Sequence, residues 1–213
     1  MKILLVVATE HEVNFSQLKN NKSAVNTDIL ISGIGIAPTT YHVTNRLIQT
    51  KYDIVLQAGI AGAFTTDLNL GEVVLINADT FGDCGIEESG IFETLFSAGL
   101  VDRNDFPFTN GWLVNNHELL NSALLKTVTA ITVNKITDDK KQIEKQRHIF
   151  NAEIESMEGA AFHYVCLNMN TPFLQLRSIS NVVGERDKAN WKMAEAIGNL
   201  NKELNKIIKI LSQ

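Results

Sequence analysis

Three residues stand where chemistry can be done. Glu158 and Asn181 each follow a short apolar run within the stretch Asn151–Arg186, and Glu12 follows the apolar run Ile3–Ala8. A carboxylate only accepts, so it can take hydrogen bonds from two neighbouring hydroxyls or hold a water as a general base. A carboxamide donates and accepts at once. The apolar runs Ala152–Glu155 and Pro172–Ser178 read as strands, joined by an Ala-rich helix over Ala160–Met169. Strand, helix, strand reads as a parallel unit by the right-handed crossover rule. Ligands of open parallel sheets bind beyond the carboxyl ends of the strands. Glu158 and Asn181 are thus expected on one rim of one sheet. Local sequence leaves Glu12 open. Thr9 can cap a helix from Glu10, with Glu12 three residues on as in a capping box, or Glu12 is a positioned acid–base group. Asn181 is likewise either a working amide or a local Asx-turn.

Other chemistries find less support. Five histidines (His11, His42, His117, His148 and His163) show no metal-ligand spacing. His163, on the Ala-rich helix, reads as packed or hydrogen-bonded rather than catalytic. Cys84 and Cys166 lack a nucleophile context and read as buried thiols. Ser180 has no GxSxG elbow around it. Gly33-Ile34-Gly35 lacks the third glycine of the dinucleotide spacing, and no GxxxxGK[ST] motif occurs.

The elements that must position these groups follow the order of an α/β chain. Strands are predicted at Ile3–Ala8, Asp28–Ser32, Ile54–Ala58, Gly71–Ala78, Trp112–Val114 and Val128–Asn134, besides the two above. Gly33-Ile34-Gly35 and Gly59-Ile60-Ala61-Gly62-Ala63 read as glycine turns after consecutive strands, where a ligand can approach the backbone. Helices are predicted from Pro38 to about Thr50, at Glu118–Lys126 and at Asp138–Phe150. A long amphipathic helix from Asn190 to the end carries Trp191, Ala194, Ile197, Leu200, Leu204, Ile207 and Leu211 on one face. Asp79–Phe108 has little periodicity and reads as a long functional loop with a short helix near Glu93–Ala98. With 213 residues, 45% of them hydrophobic, and no linker or repeat, the chain reads as one domain.

A net charge of −5 with scattered Lys and Arg speaks against nucleic-acid binding. No apolar run approaches membrane-spanning length, and the start reads as a buried strand rather than a leader. Two cysteines make no disulfide framework. A cytoplasmic protein is expected. The sequons Asn14-Phe15-Ser16 and Asn21-Lys22-Ser23 then carry no meaning.

Taken together, several motifs resemble one superfamily. Ser32-Gly33-Ile34-Gly35, Ala58-Gly59-Ile60-Ala61-Gly62-Ala63, Glu155-Ser156-Met157-Glu158-Gly159-Ala160-Ala161 and Arg177-Ser178-Ile179-Ser180-Asn181 are similar, in order and spacing, to the nucleoside phosphorylase/nucleosidase superfamily. Thr9-Glu10-His11-Glu12, Thr80–Glu87 and Ser180–Arg186 look like futalosine hydrolases, more so than methylthioadenosine/adenosylhomocysteine nucleosidases. The resemblance implies an α/β phosphorylase/hydrolase-like fold, a central mixed sheet partly closed into a barrel and flanked by helices. It implies cleavage of an N-ribosidic bond through an oxocarbenium-like transition state, with no cofactor and no metal.

It also implies roles. Glu158 takes the ribose hydroxyls and Met157 packs under the sugar, while Glu12 positions the attacking water. Asn181 stands where adenine-releasing relatives use an Asp to protonate N7. An amide there suits a 6-oxopurine such as hypoxanthine. Ile34, Ile60, Ala61, Gly62, Ile136 and Ser180 are expected around the substrate. Trp191 is expected at the 5′ side and Arg186, with Lys188 second, near a substrate carboxylate. Phosphorylases place Arg residues where this chain has Thr9–Glu12 and Gln57, so water is the expected nucleophile. The loop Phe81–Ser89 resembles a segment that reaches a neighbouring subunit's site, which implies a homo-oligomer. The implied reaction is futalosine hydrolysis to hypoxanthine, in menaquinone synthesis. The alternatives are a methylthioadenosine/adenosylhomocysteine nucleosidase and a non-catalytic nucleoside-binding protein on the same fold.

Overall fold

The computed structural model describes residues 1–14, 26–121 and 125–211. The sequons lie partly or wholly outside these residues. So does most of the short stretch between Glu12 and Ser32.

The chain opens on β1 (Lys2–Val7), whose apolar residues are buried on both faces, and a 3₁₀ turn at Glu10–Glu12. Then come β2 (Asn26–Ile31), α1 (Ile36–Gln49), β3 (Ile54–Ala63) and β4 (Val73–Phe81). A hairpin of β5 (Gly85–Glu88) and β6 (Ile91–Thr94) precedes β7 (Leu113–Val114) and β8 (Lys126–Thr132). The remainder is α2 (Lys140–Phe150), β9 (Ile154–Ser156), α3 (Gly159–Asn168), β10 (Phe173–Val182) and α4 (Met193–Leu211). Among the described residues, no helix is long and apolar enough to cross a membrane.

The sheet is mixed. β1 pairs in parallel with β2 and β3, and β3 pairs in parallel with β10. β10 then pairs antiparallel with β4, β4 in parallel with β8, β8 in parallel with β9, and β9 antiparallel with β3. That circuit β3–β10–β4–β8–β9–β3 closes a barrel, and β1 and β2 extend it as an open wing. β3 makes closure possible because it is long. Its first half pairs with β1 and its last residues, Gly62 and Ala63, pair with β9. An α/β domain with a mixed, partly barrelled sheet flanked by helices was the expectation, and it holds, with four helices.

Several expectations are corrected. β9 and β10 are not a parallel pair. β9 runs antiparallel to β3, whereas β10 runs parallel to it, so the crossover rule does not apply. Gly59–Ala63 is not a turn but the second half of β3, held by β10 along its length. Asp79–Phe108 is irregular only in its second half, from residue 95 on. β4 runs on to Phe81, the hairpin follows, and no helix forms at Glu93–Ala98. Glu118–Asn121 is a 3₁₀ turn rather than a helix. Cys84 is exposed, and only Cys166 is buried.

α4 packs Leu200, Leu204, Ile207 and Ile208 against Ile3, Leu5, Leu56 and Leu174. Each such fully buried side chain contributes about 1.5–3 kcal/mol of transfer free energy. Helix α3 packs Phe162, Val165 and Cys166 on the opposite face of the sheet, with Val43 and Leu47 of α1. His163 in α3 is fully buried, with Nδ1 2.9 Å from the Leu113 carbonyl. Burial lowers its pKa to about 4, which fits a packed neutral ring.

Candidate active site

Glu12 sits in the 3₁₀ turn that follows β1. Its Oε2 accepts from the Thr9 N–H at 2.9 Å, the return bond of a capping box. Its backbone carbonyl accepts from Asn201 Nδ2 of α4 at 3.0 Å. Only 8% of the residue is exposed. Burial raises the carboxyl above the ordinary value, the Thr9 N–H and Arg177 pull it down, and Glu158 pushes it up again. The cap and the functional reading of Glu12 are therefore compatible: one oxygen fixes the turn while the side chain lines a cavity.

Glu158 follows β9 and precedes α3. Its Oε1 accepts from the Gly35 N–H at 3.1 Å, and its Oε2 lies 3.4 Å from Arg177 Nη1. Gly35 has φ +95°, which a side chain disfavours, and it aims its N–H at the carboxylate from the turn before α1.

Arg177 was not anticipated as a site residue. It is 1% exposed inside the barrel. Nη1 also donates to the Ile60 carbonyl at 3.4 Å, and Nη2 to Gln57 Oε1 at 3.2 Å. A Cβ on Gly59 would meet Nη1 at 2.3 Å and Glu12 Oε1 at 3.0 Å. Gly59 is needed because the guanidinium and Glu12 press against its backbone. The signal in the sequence was an Arg inside an apolar run, where a charge requires a partner.

Asn181 lies within β10, not past its end. The pairing with β3 skips a residue between Ile179 and Asn181, so Ser180 forms a bulge. Bulges re-aim side chains and recur beside active sites. Ser180 Oγ donates to Asn181 Oδ1 at 2.7 Å, and Asn181 Nδ2 donates to the Val182 carbonyl at 2.9 Å.

These residues surround one cavity of about 330 Å³. Its lining includes Glu12, Ile34, Ile60, Ala61, Gly62, Ile136, Met157, Glu158, Ser180, Asn181 and Trp191, all expected around a substrate. Sequence reasoning missed His11, Glu155, Met193 and Ile197, which also line it. Glu155 lay in the motif already singled out. Met193 and Ile197 reach the cavity from the first turns of α4. Arg186 does not line it. It is exposed and stacks on Trp191, 5.8 Å from the ring centroid. Trp191 precedes α4 rather than opening it, and its Nε1 donates to the Glu185 carbonyl at 3.0 Å. No residue of the loop at 81–89 lines this cavity. Among the described residues, no group of His, Cys, Asp and Glu could hold a metal ion.

Comparison with known proteins agrees with this architecture. The chain is 30% identical to futalosine hydrolase of Thermus thermophilus over 183 residues, 84% of this chain and 80% of that protein. It is 27% identical to the 5′-methylthioadenosine/S-adenosylhomocysteine nucleosidase of Bacillus velezensis, over 90% of both chains. The structure of futalosine hydrolase of Helicobacter pylori shares the fold with a TM-score of 0.78 at 19% identity, over 98% of this chain and 97% of that one. Residues 6–213 match the phosphorylase superfamily, and the chain belongs to that family.

Proposed function

We propose that this protein is a nucleosidase that hydrolyses the N-ribosidic bond of futalosine, releasing hypoxanthine and dehypoxanthine futalosine in menaquinone synthesis. One observation carries the choice of base: the residue re-aimed by the bulge at the cavity is an amide, Asn181. An amide cannot act as a general acid at neutral pH, but it can donate to N7 or a 6-oxo group and accept from a ring N–H.

The rest of the cavity supports the same reaction. Glu158 takes the 2′- and 3′-hydroxyls of the ribose. Gly35 and Arg177 hold its carboxylate in place, and Met157 packs against the sugar. Glu12 takes a proton from the attacking water, and its charge stabilises the cationic sugar as the bond to the base lengthens. Burial raises its pKa, which makes it a better base than an exposed carboxylate. Water rather than phosphate is the nucleophile. Carboxylates repel an anion, and the guanidinium of Arg177 is already engaged by Glu158, Gln57 and the Ile60 carbonyl. Three buried carboxyl groups, Glu12, Glu155 and Glu158, around one apolar cavity also weigh against a purely nucleoside-binding protein. Trp191 and the start of α4 form the 5′ end. Arg186 meets the substrate carboxylate only if it leaves its stack on Trp191. The free cysteines suit the cytoplasm. The active form is a homo-oligomer in which the loop at 81–89 approaches a neighbouring site.

The base assignment is tested by Asn181→Asp. The variant faces the 6-oxo group and the Val182 carbonyl with an acceptor, at a cost of roughly 1–3 kcal/mol, or about 5- to 150-fold. The kcat/KM ratio of futalosine to its 6-amino analogue is expected to fall in the variant. An unchanged ratio would remove Asn181 from the base site, and with it the support for a 6-oxopurine.

A further inference from the structure

The cavity holds a carboxyl group that this mechanism does not use. Gly62 of β3 pairs with Asn181 on one side and with Glu155 on the other, so the two residues flank one backbone position. Glu155 lines the cavity and is 6% exposed. Its Oε2 is buried without a hydrogen-bond partner.

The other carboxyls of the lining are occupied. Glu12 is held by the Thr9 N–H, and Glu158 by the Gly35 N–H and Arg177. Glu185 accepts from the Asp187 N–H at 2.6 Å and from Asn190 Nδ2 at 2.8 Å.

Chemistry supplies the need for a free acid. A purine that leaves with the pair of electrons from its N9–C1′ bond departs as an anion unless its ring gains a proton. Asn181 cannot give one. We infer that Glu155 is a catalytic acid that gives its carboxyl proton to N7 of the base as the bond to ribose breaks.

The electron pair of the N9–C1′ bond stays on the purine, and N7 takes the proton of Glu155. The oxygen of water bonds to C1′, and its proton goes to Glu12. Nucleoside and water become free base and free sugar, and solvent returns the proton from Glu12 to Glu155. Burial, with Asp83 adding to it and Arg186 opposing it, raises the Glu155 carboxyl to about 7. Glu12, Glu158 and Glu185 are the other ionisable carboxyls on the cavity wall. An acid whose pKa lies near the working pH is both protonated and able to let its proton go.

The inference rests on the nucleosidase reading but not on the choice of futalosine. The test is Glu155→Gln, assayed on a nucleoside that the wild type cleaves and on its N7-methylated form, whose base leaves neutral without an added proton. The expected result is a loss of about 10²-fold in kcat on the unmethylated nucleoside and a change of only a few-fold on the methylated one. An equal loss on both substrates would overturn the assignment and make Glu155 structural. No loss on either would show that the proton comes from elsewhere. Should the Gln variant fail to fold, Glu155→Asp keeps a carboxyl but draws it back from N7 by one methylene, and the same selective loss is expected. A wild type that cleaves no nucleoside would overturn the nucleosidase reading and this inference together.

Discussion

Glu12 and Glu158 carry the proposed chemistry through different contacts, and their substitutions separate. Glu12→Gln keeps an oxygen for the Thr9 N–H, so the turn survives while the base is lost. The expected result is a fall of about 10²-fold or more in kcat with nucleoside binding retained. A variant within a few-fold of wild type would return Glu12 to a purely capping role. Glu158→Gln is more costly, because it leaves the buried Arg177 without its ion-pair partner. Breaking such a pair costs on the order of 3 kcal/mol, so both kcat/KM and the urea midpoint should fall. A normal midpoint would mean that Gln57 and the Ile60 carbonyl suffice to hold the guanidinium. The sequence made Glu12, Glu158 and Asn181 visible because polar groups ended apolar runs. Arg177 and Glu155 were hidden for the opposite reason. They lie within the strands themselves, and nothing local distinguishes a strand face that is polar from one that is packed. That Arg186 stands off the lining was not legible either, because its stacking on Trp191 depends on how the turn at 188–190 folds.

The element that steadies the Glu12 turn is α4. Asn201 is buried in it and spends its amide on the Glu12 turn, donating to the Glu12 carbonyl at 3.0 Å and accepting from the Asn14 N–H at 2.7 Å. Asn201→Ala should lower stability by about 1–3 kcal/mol and should also reduce kcat on every nucleoside alike. Full activity in a destabilised protein would show that the turn holds itself. The amphipathic period gave this helix away, whereas the strand pairings were less legible. A three-residue β9 reads like any short strand, and its antiparallel pairing becomes possible only because β3 outruns β1. The bulge at Ser180 left no trace in composition either, since it is a mismatch of lengths between β10 and β3.

At the scale of the molecule, the barrel strands bury ionisable groups among apolar ones, and their charge state depends on pH. Asp79 is fully buried, accepting from Thr132 Oγ1 at 3.0 Å and from Gln175 Nε2 at 3.3 Å. Burial raises its pKa from 3.8 to about 7. The folded state thus keeps a proton that the unfolded chain has given up. The associated stability is complete below pH 3.8 and is lost as pH rises through about 7. His163 works in the opposite sense: its stability is present above pH 6.5 and is lost as pH falls through about 4. Asp79→Asn should therefore gain stability over wild type at pH 8, where each tenfold difference in proton affinity between folded and unfolded chain is worth about 1.4 kcal/mol. It should gain nothing at pH 3.5. Gln175 can turn its unpartnered Oε1 to the new amide. An equal change in urea midpoint at both pH values would show that Asp79 is not protonated in the fold. The central claim concerns the whole molecule and its substrate, and product analysis tests it most directly. Purified protein is incubated with futalosine and with methylthioadenosine, each with and without inorganic phosphate, and the released base and sugar are identified. The predicted result is hypoxanthine and dehypoxanthine futalosine from futalosine, at a rate that phosphate does not raise, with no sugar phosphate. Adenine from methylthioadenosine as the main product, or a ribose 1-phosphate, would contradict it.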